Sequence, residues 1–278
     1  MSLPSPATED GARALSAIIA HPGETLLALD FDGTLAPIVD DPAQAYADPA
    51  AVSALGRIGA RMQVVVITGR PARTAVQLGH FDQVPGLDGM VVLGQYGIER
   101  WNAASNEFVI PPEPPEIVEV AEEIRGILGP LGLEQARIEH KGRAVGVHTR
   151  QLPDPAGALR DLTGPLSELA ARHGLQVEPG KNVLEIRASG FDKGDALREV
   201  LAEFPARNAI FAGDDLGDLP AFRLIRELRA RDEINGLLIC SASHEEDALT
   251  EISDVVLAGT VGVAQWLNAL ADELERTG

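Results

Sequence analysis

Two aspartates two positions apart, Asp30 and Asp32, end an aliphatic run (Leu26-Leu27-Ala28-Leu29) and are followed by Gly33-Thr34-Leu35. Such a run reads as a strand buried on both faces, and open parallel sheets bind ligands at the carboxyl ends of their strands. Gly33 allows a sharp turn that brings backbone N–H groups toward a bound anion. An isolated Asp-x-Asp is more often a pair of turn caps; the strand before it and the Gly-Thr after it make that the lesser option here. A second cluster, Gly213-Asp214-Asp215-Leu216-Gly217-Asp218, follows another apolar run and sets three acids in five positions. Two like charges ~4 Å apart repel by about 4 kcal/mol at an effective dielectric near 20, so gathering these acids with Asp30 and Asp32 requires a cation. Hard carboxylate oxygens suit Mg²⁺, which keeps several waters. Helix capping is the competing use of such acids and fits Asp218, but three exceed what one cap needs.

Two further features belong with these. Asp192-Lys193-Gly194 opens a helical stretch, where a lysine opposes the helix dipole unless an anion lies nearby. Ile67-Thr68-Gly69-Arg70 ends another apolar run; Thr68 offers a hydroxyl and its neighbours backbone N–H groups to a phosphoryl oxygen, while the same residues also suit a turn that caps the helix after it. A nucleophile, an acid/base, a hydroxyl donor, a lysine and metal-binding acids are the parts that phosphoryl transfer from an ester needs.

These residues need a frame. Strands are predicted at 26–29, 64–67, 90–93, 209–212 and 237–240, with helices at 49–61, 71–78, 193–204, 219–230 and 261–274. Alternation of buried strands with helices implies an α/β fold, a doubly wound, mainly parallel, Rossmann-like core. The middle differs. Pro111-Pro112-Glu113-Pro114-Pro115 is a stiff break, and after it come a helix (116–128), strands (136–140, 144–149), a helix (155–173) and strands (175–177, 183–187). That αββαββ order implies an α+β domain at 113–187 inserted into a core made of 1–112 and 188–278.

Composition narrows the function. The 278 residues carry 23 Lys and Arg against 42 Asp and Glu, a net charge of −19, so the chain lacks the basic footprint of a nucleic-acid binder and is repelled by anionic lipid. A 45% hydrophobic content supports a sizeable core and excludes a disordered chain. No apolar run nears the ~20 residues that span a bilayer. Glu9 and Asp10 stand where a signal peptide carries basic residues, and the one cysteine, Cys240, forms no internal disulfide. The expectation is a cytoplasmic protein, without nucleic acid or membrane as partner.

The order Asp30, Asp32, Thr68, Lys193, Asp214 resembles the four motifs of haloacid dehalogenase-like phosphatases. Within them the chain is similar to the trehalose-6-phosphate phosphatase family, through Asp30-Phe31-Asp32-Gly33-Thr34-Leu35, Ile67-Thr68-Gly69-Arg70, Gly94-Gln95-Tyr96-Gly97-Ile98-Glu99 and Gly213-Asp214-Asp215. In the insert, Glu139-His140-Lys141-Gly142, His148-Thr149-Arg150 and 180–187 carry the same likeness. The resemblance implies an aspartyl-phosphate mechanism with Asp30 as nucleophile and Asp32 as acid/base. It implies Mg²⁺ held by Asp30, the Asp32 carbonyl and Asp214, with Asp215 and Asp218 in support. Thr68 and Lys193 then hold phosphoryl oxygens, and Gly33, Gly69 and Arg70 line the substrate. The insert becomes a cap that reads sugar hydroxyls with Glu139, Lys141, Arg150, Lys181 and Glu185, and closes on hinges at Pro111–Pro115 and Ser189-Gly190. The implied partners are a small-molecule sugar phosphate and, functionally, a trehalose-phosphate synthase, with the chain itself a monomer. Spacing alone favours reading the polar residues of the insert as a solvated sheet face. Tyr96 stands where the family often has His, and Gly217-Asp218-Leu219 where it usually has Thr-Asp-Glu. Other sugar-phosphate phosphatases (sucrose phosphate), a phosphomannomutase and a non-catalytic phosphosugar sensor are the rival readings.

Overall fold

A computed structural model of the chain describes residues 3–180, 182–188, 191–242 and 249–277. In chain order the elements are α1 (Glu9–Ala20), β1 (Thr25–Leu29), α2 (Pro49–Gly59), β2 (Gln63–Ile67), α3 (Ala72–Gly79), β3 (Val91–Gly94), β4 (Glu99–Asn102) and β5 (Glu107–Val109). Then come α4 (Pro115–Leu128), β6 (Arg137–His140), β7 (Ala144–His148), α5 (Pro155–Arg172), β8 (Leu175–Gly180) and β9 (Val183–Ala188). The chain closes with α6 (Lys193–Glu203), β10 (Asn208–Gly213), α7 (Leu219–Ala230), β11 (Asn235–Ala242), β12 (Val255–Ala258) and α8 (Gly259–Thr277). They form two compact units, Met1–Ile110 with Asp192–Gly278, and Pro111–Phe191.

The first unit is built on an eight-stranded sheet in the order β12-β11-β10-β1-β2-β3-β4-β5. Pairing is parallel from β12 to β3 and antiparallel for β4 and β5. Successive side chains of a strand point to opposite faces, so β1 feeds two cores. Leu27 and Leu29 join residues of α1, α2, α3 and α8, while Leu26 and Ala28 join residues of α6 and α7. Burial on both faces is why these strands are unbroken apolar runs. Helix starts follow local chemistry: Asp48 accepts from the amides of Ala50 and Ala51 to cap α2, and Asp192 and Asp195 form a capping box on α6.

The structure adds elements that the sequence pattern left unassigned. Helix α1 is capped by Thr8, and β12 extends the sheet at its edge. The β4–β5 hairpin escapes the pattern because β5 is three residues long, with Glu107 and Val109 exposed. It carries no apolar run.

The second unit is a four-stranded antiparallel sheet, β6-β7-β9-β8. Val145, Val147, Leu184 and Ile186 pack with Ile117, Val120, Ile124, Leu162, Leu166 and Leu169 from α4 and α5, forming a core of their own. The opposite face of this sheet is polar. Among the described residues no helix is long and apolar enough to cross a membrane.

Candidate active site

Strands β1 and β10 are direct neighbours, in parallel register from Thr25↔Asn208 to Leu29↔Ala212. The residues just past them, Asp30 and Asp214, therefore meet at one end of the sheet. The Asp30 amide donates to the Ala212 carbonyl at 2.8 Å, carrying the pairing one residue past β1. Oxygens of Asp30, Asp214 and Asp218, all buried, lie within 4.8 Å of one another. An ion with oxygen ligands at about 2.0–2.6 Å spans roughly that distance across its diameter. Gly33 has φ +73°, and its α-carbon lies so close to the Asp214 carboxylate that a Cβ built there would overlap it. The left-handed conformation and the close approach both require glycine.

Lys193, at the first position of α6, sends its Nζ to Asp30 Oδ1 at 2.6 Å and to Asp218 Oδ1 at 2.7 Å. Only 4% of the lysine is exposed. The second oxygen of Asp218 accepts from the amides of Asp214 and Asp215. Both of its oxygens are thus engaged in holding Lys193 and the turn after β10. Asp215 is exposed and accepts from the Gly217 amide, capping the turn at 216–218.

Three buried carboxylates face one ammonium, and the electrostatics follow from that ratio. Burial pushes the Asp30 carboxyl well above the usual carboxylate range, and Lys193 offsets only part of it. Burial, with Asp30 and Asp218 as neighbours, pushes Asp214 up to about 10. Asp218 is also raised by burial, against the pull of Lys193. Burial alone would lower the Lys193 ammonium, but Asp218, Asp30 and Asp215 outweigh it and hold it well above its ordinary value. A divalent cation replaces the protons such a cluster otherwise retains, so the donor set fits a metal ion.

Asp32 is placed differently. Its carboxylate accepts a two-pronged bond from Arg70, Nη2 to Oδ1 at 2.6 Å and Nε to Oδ2 at 2.7 Å. Arg70 is held in turn by the Pro42 carbonyl at 2.8 Å and lies over the Phe31 ring. Thr68 is buried just past β2, and its Oγ1 accepts from the Arg70 amide at 3.1 Å. The structure therefore brings Asp30, Asp214, Asp218 and Lys193 into one cluster, and binds Asp32 to Arg70 beside Thr68.

Several contacts belong to residues that sequence reasoning gave no role. Gln95, Tyr96 and Gly97 have consecutive positive φ angles of 48°, 60° and 107°. That left-handed run is fastened to the Thr68–Arg70 loop by Gln95 N to the Arg70 carbonyl, Tyr96 N to the Thr68 carbonyl and Gln95 Nε2 to the Gly69 carbonyl. The Tyr96 hydroxyl lies against Gly69, where a Cβ would come within 2.9 Å of it. Glu99 is buried and accepts from the Ala72 amide at 2.7 Å, capping α3, which lacks a side-chain cap of its own. Ser241, at the end of β11, donates to the Gly33 carbonyl at 2.6 Å. Within the left-handed run only Gly97 is of a residue type that signals it; the serine has no such signal.

In the second unit Glu139, Gly146, Glu185 and Glu178 stand in cross-strand register, so they share the polar face of its sheet. Lys141 pairs with Glu185, which is almost fully buried. His148 Nε2 hydrogen-bonds Glu139 at 2.7 Å, and that bond holds the Glu139 carboxyl down at about 2. Arg150 lies in the turn after β7, half-buried and outside both pairs. Lys181 and the Ser189-Gly190 hinge fall outside the described residues.

The sequence model of a family described as trehalose-phosphatase matches residues 28–253. A trehalose-phosphate phosphatase from Mycobacterium marinum is 30% identical over 267 residues, covering 90% of this chain and 62% of that protein. One from Mycobacterium tuberculosis (strain H37Rv) is 33% identical over 214 residues, 70% of this chain and 50% of that protein. The chain thus spans about half to six-tenths of the length of these curated relatives. Among solved structures, the C-terminal domain of the Candida albicans trehalose-6-phosphate phosphatase superposes with a TM-score of 0.77 at 19% identity, covering 98% of this chain and 99% of that one. A haloacid dehalogenase-like hydrolase from Bacteroides thetaiotaomicron gives 0.60 at 18% identity, covering 87% and 98%.

Proposed function

The chain belongs to the trehalose-phosphatase family and has the haloacid dehalogenase-like hydrolase fold, and from that premise we propose that it hydrolyses trehalose 6-phosphate to trehalose and phosphate. The observation that carries the reading is the buried cluster in which Asp30, Asp214 and Asp218 face Lys193 at the ends of neighbouring strands.

In the first step an Asp30 oxygen bonds to phosphorus as the bond from phosphorus to the sugar oxygen breaks. Asp32 delivers a proton to that leaving oxygen. In the second step Asp32 takes a proton from water, the water oxygen bonds to phosphorus, and the aspartyl–phosphorus bond breaks to return Asp30. The Arg70 fork holds Asp32 in one orientation for both transfers. Lys193 and the Thr68 hydroxyl hold phosphoryl oxygens, with backbone amides near Gly33 and Gly69. Asp218 orients Lys193, and Asp215 and Asp218 shape the turn that presents Asp214. Asp30, the Asp32 carbonyl and Asp214 would hold Mg²⁺, which would supply charge neutralisation for nucleophile and phosphate.

The second unit, 113–187 in this reading, acts as a cap that supplies sugar recognition. Its support is the polar sheet face, where Lys141 pairs with Glu185 and His148 with Glu139. Hydroxyls both donate and accept, so a face of mixed sign suits a sugar better than a second anion. Arg150 and Lys181 complete the proposed set.

The test is phosphate release, with and without Mg²⁺, from trehalose 6-phosphate, sucrose 6-phosphate, mannose 6-phosphate, glucose 6-phosphate and an aryl phosphate. Trehalose 6-phosphate should be the preferred substrate by kcat/KM, turnover should vanish with chelator, and Asp30→Asn should lose turnover with its Tm retained. Preference for another sugar would overturn the substrate; full activity in Asp30→Asn would overturn the mechanism.

A further inference from the structure

Ser241 lies outside every motif discussed above, yet it touches the nucleophile turn. It is buried at the end of β11, where β10 and β11 pair Gly213 with Cys240. Ser241 is therefore one step past Cys240, as Asp214 is one step past Gly213. Side chains in equivalent positions of neighbouring parallel strands share a face. Asp214 and Ser241 both reach Gly33, the carboxylate lying against its α-carbon and the hydroxyl donating to its carbonyl at 2.6 Å.

The turn has its own internal bonds, Gly33 N to the Ala36 carbonyl at 2.7 Å and the amides of Leu35 and Ala36 to the Phe31 carbonyl, both at 2.8 Å. These fix its shape, and the Asp30 amide's bond to the Ala212 carbonyl ties its start to β10, but the Gly33 carbonyl lies three residues beyond that bond. Among the described residues, Ser241 is the side chain that hydrogen-bonds to the turn's backbone from outside it. An O–H···O bond of this length is at the short, strong end of the ordinary range. Asp214 reaches the same turn from β10, its carboxylate lying against the Gly33 α-carbon.

From this we infer that Ser241 is a positioning residue for the ion site, holding the 32–33 main chain against Asp214 so that the Asp32 carbonyl and the Asp214 carboxylate stay one ion apart. The inference rests on the Mg²⁺ site of the proposed function and names a residue acting on it through Gly33. In the proposed function Ser241 is a ligand of neither the ion nor the substrate. Its loss should therefore weaken ion binding while leaving substrate binding nearly intact.

The experiment measures Mg²⁺ binding by calorimetry and the Tm rise on Mg²⁺ addition for wild type, Ser241→Ala, Ser241→Cys, Ser241→Thr and, as a control, Asp214→Asn. Ser241→Ala should bind Mg²⁺ about tenfold more weakly, equivalent to about 1.4 kcal/mol. Its KM for trehalose 6-phosphate at saturating Mg²⁺ should move less than twofold. Ser241→Cys fills the same space with a weak donor and should fall with the alanine variant, giving the same reading if that variant does not fold. Ser241→Thr keeps the hydroxyl and should recover at least half of the loss. A lower metal-free Tm with unchanged Mg²⁺ affinity in the alanine and cysteine variants would make the serine merely structural and overturn the inference. So would a threonine variant as weak as alanine. If wild type binds no Mg²⁺, or Asp214→Asn binds it as wild type does, the proposed ion site itself is wrong, a distinct result.

Discussion

Proton release should accompany ion binding, because burial raises the acids that would hold the ion, Asp214 most plainly. Asp214 is pushed up to about 10, and Asp30 and Asp218 are also raised. In the unfolded chain an aspartate ionises near its ordinary value of about 3.9. Between these limits the metal-free folded protein binds more protons than the unfolded chain, so its stability falls as pH rises from about 4 toward 10. The stabilising contribution is complete below the unfolded value and is lost on the way to the folded one. An ion that displaces one proton gains affinity about tenfold per pH unit, equivalent to about 1.4 kcal/mol. Titration calorimetry from pH 6 to 8.5, in buffers of different ionisation enthalpy, counts the protons directly. We expect at least one released per Mg²⁺, an affinity rising about tenfold per pH unit, and a metal-free Tm that declines with pH more steeply than the Mg²⁺-loaded Tm. Buffer-independent heats together with a flat affinity would refute the electrostatic argument, since the acids would then already be ionised.

Lys193→Met leaves Asp30 and Asp218 without their shared ammonium; breaking a buried pair costs about 3–5 kcal/mol, and urea unfolding should show a loss of that order that shrinks when Mg²⁺ is present. Gly33→Ala drives a methyl into the Asp214 carboxylate in a left-handed turn, so calorimetry should find Mg²⁺ binding lost while urea unfolding reports a deficit of about 1–3 kcal/mol. In the second unit, Lys141→Met and Glu185→Gln should each raise KM for trehalose 6-phosphate at least about tenfold with aryl phosphate little affected; a double-mutant cycle on stability should give a coupling of about 0.5–3 kcal/mol.

What the sequence disclosed depended on whether the signal was local. Asp30 and Asp214 were legible because each follows an apolar run that must be a buried strand, and ligands of open parallel sheets bind at such strand ends. Lys193 stood out as a cation at the wrong end of a helix dipole, and the αββαββ order of the second unit followed from its alternating apolar patterns. The left-handed angles of Gln95 and Tyr96 were not legible, since neither residue type announces them and the bonds that hold them come from the 68–70 loop. Nor was Ser241, whose partner Gly33 lies 208 positions away, or the pairing of His148 with Glu139 across two strands. Helix α1 was hidden for another reason: its seating depends on Thr8 and Arg229 meeting the buried Asp254, 246 and 25 positions away from them. The Asp32 carboxylate was read as an acid/base without the Arg70 fork that holds it, because an arginine after Thr-Gly is as common at a solvated turn.

The strand order has a consequence for biosynthesis. β1 sits beside β10, so the acid borne by the first strand meets its counterpart only when the ribosome has added 184 more residues, from Asp30 to Asp214. At about 5–20 residues per second, translation needs roughly 10–40 s to cover that interval. For that time the nascent chain has a strand with one bare edge and half an ion trap. Divalent cations in the medium thus have nothing complete to seize until the ribosome has passed Asp214, and until β10 arrives that edge of β1 is open to other partners.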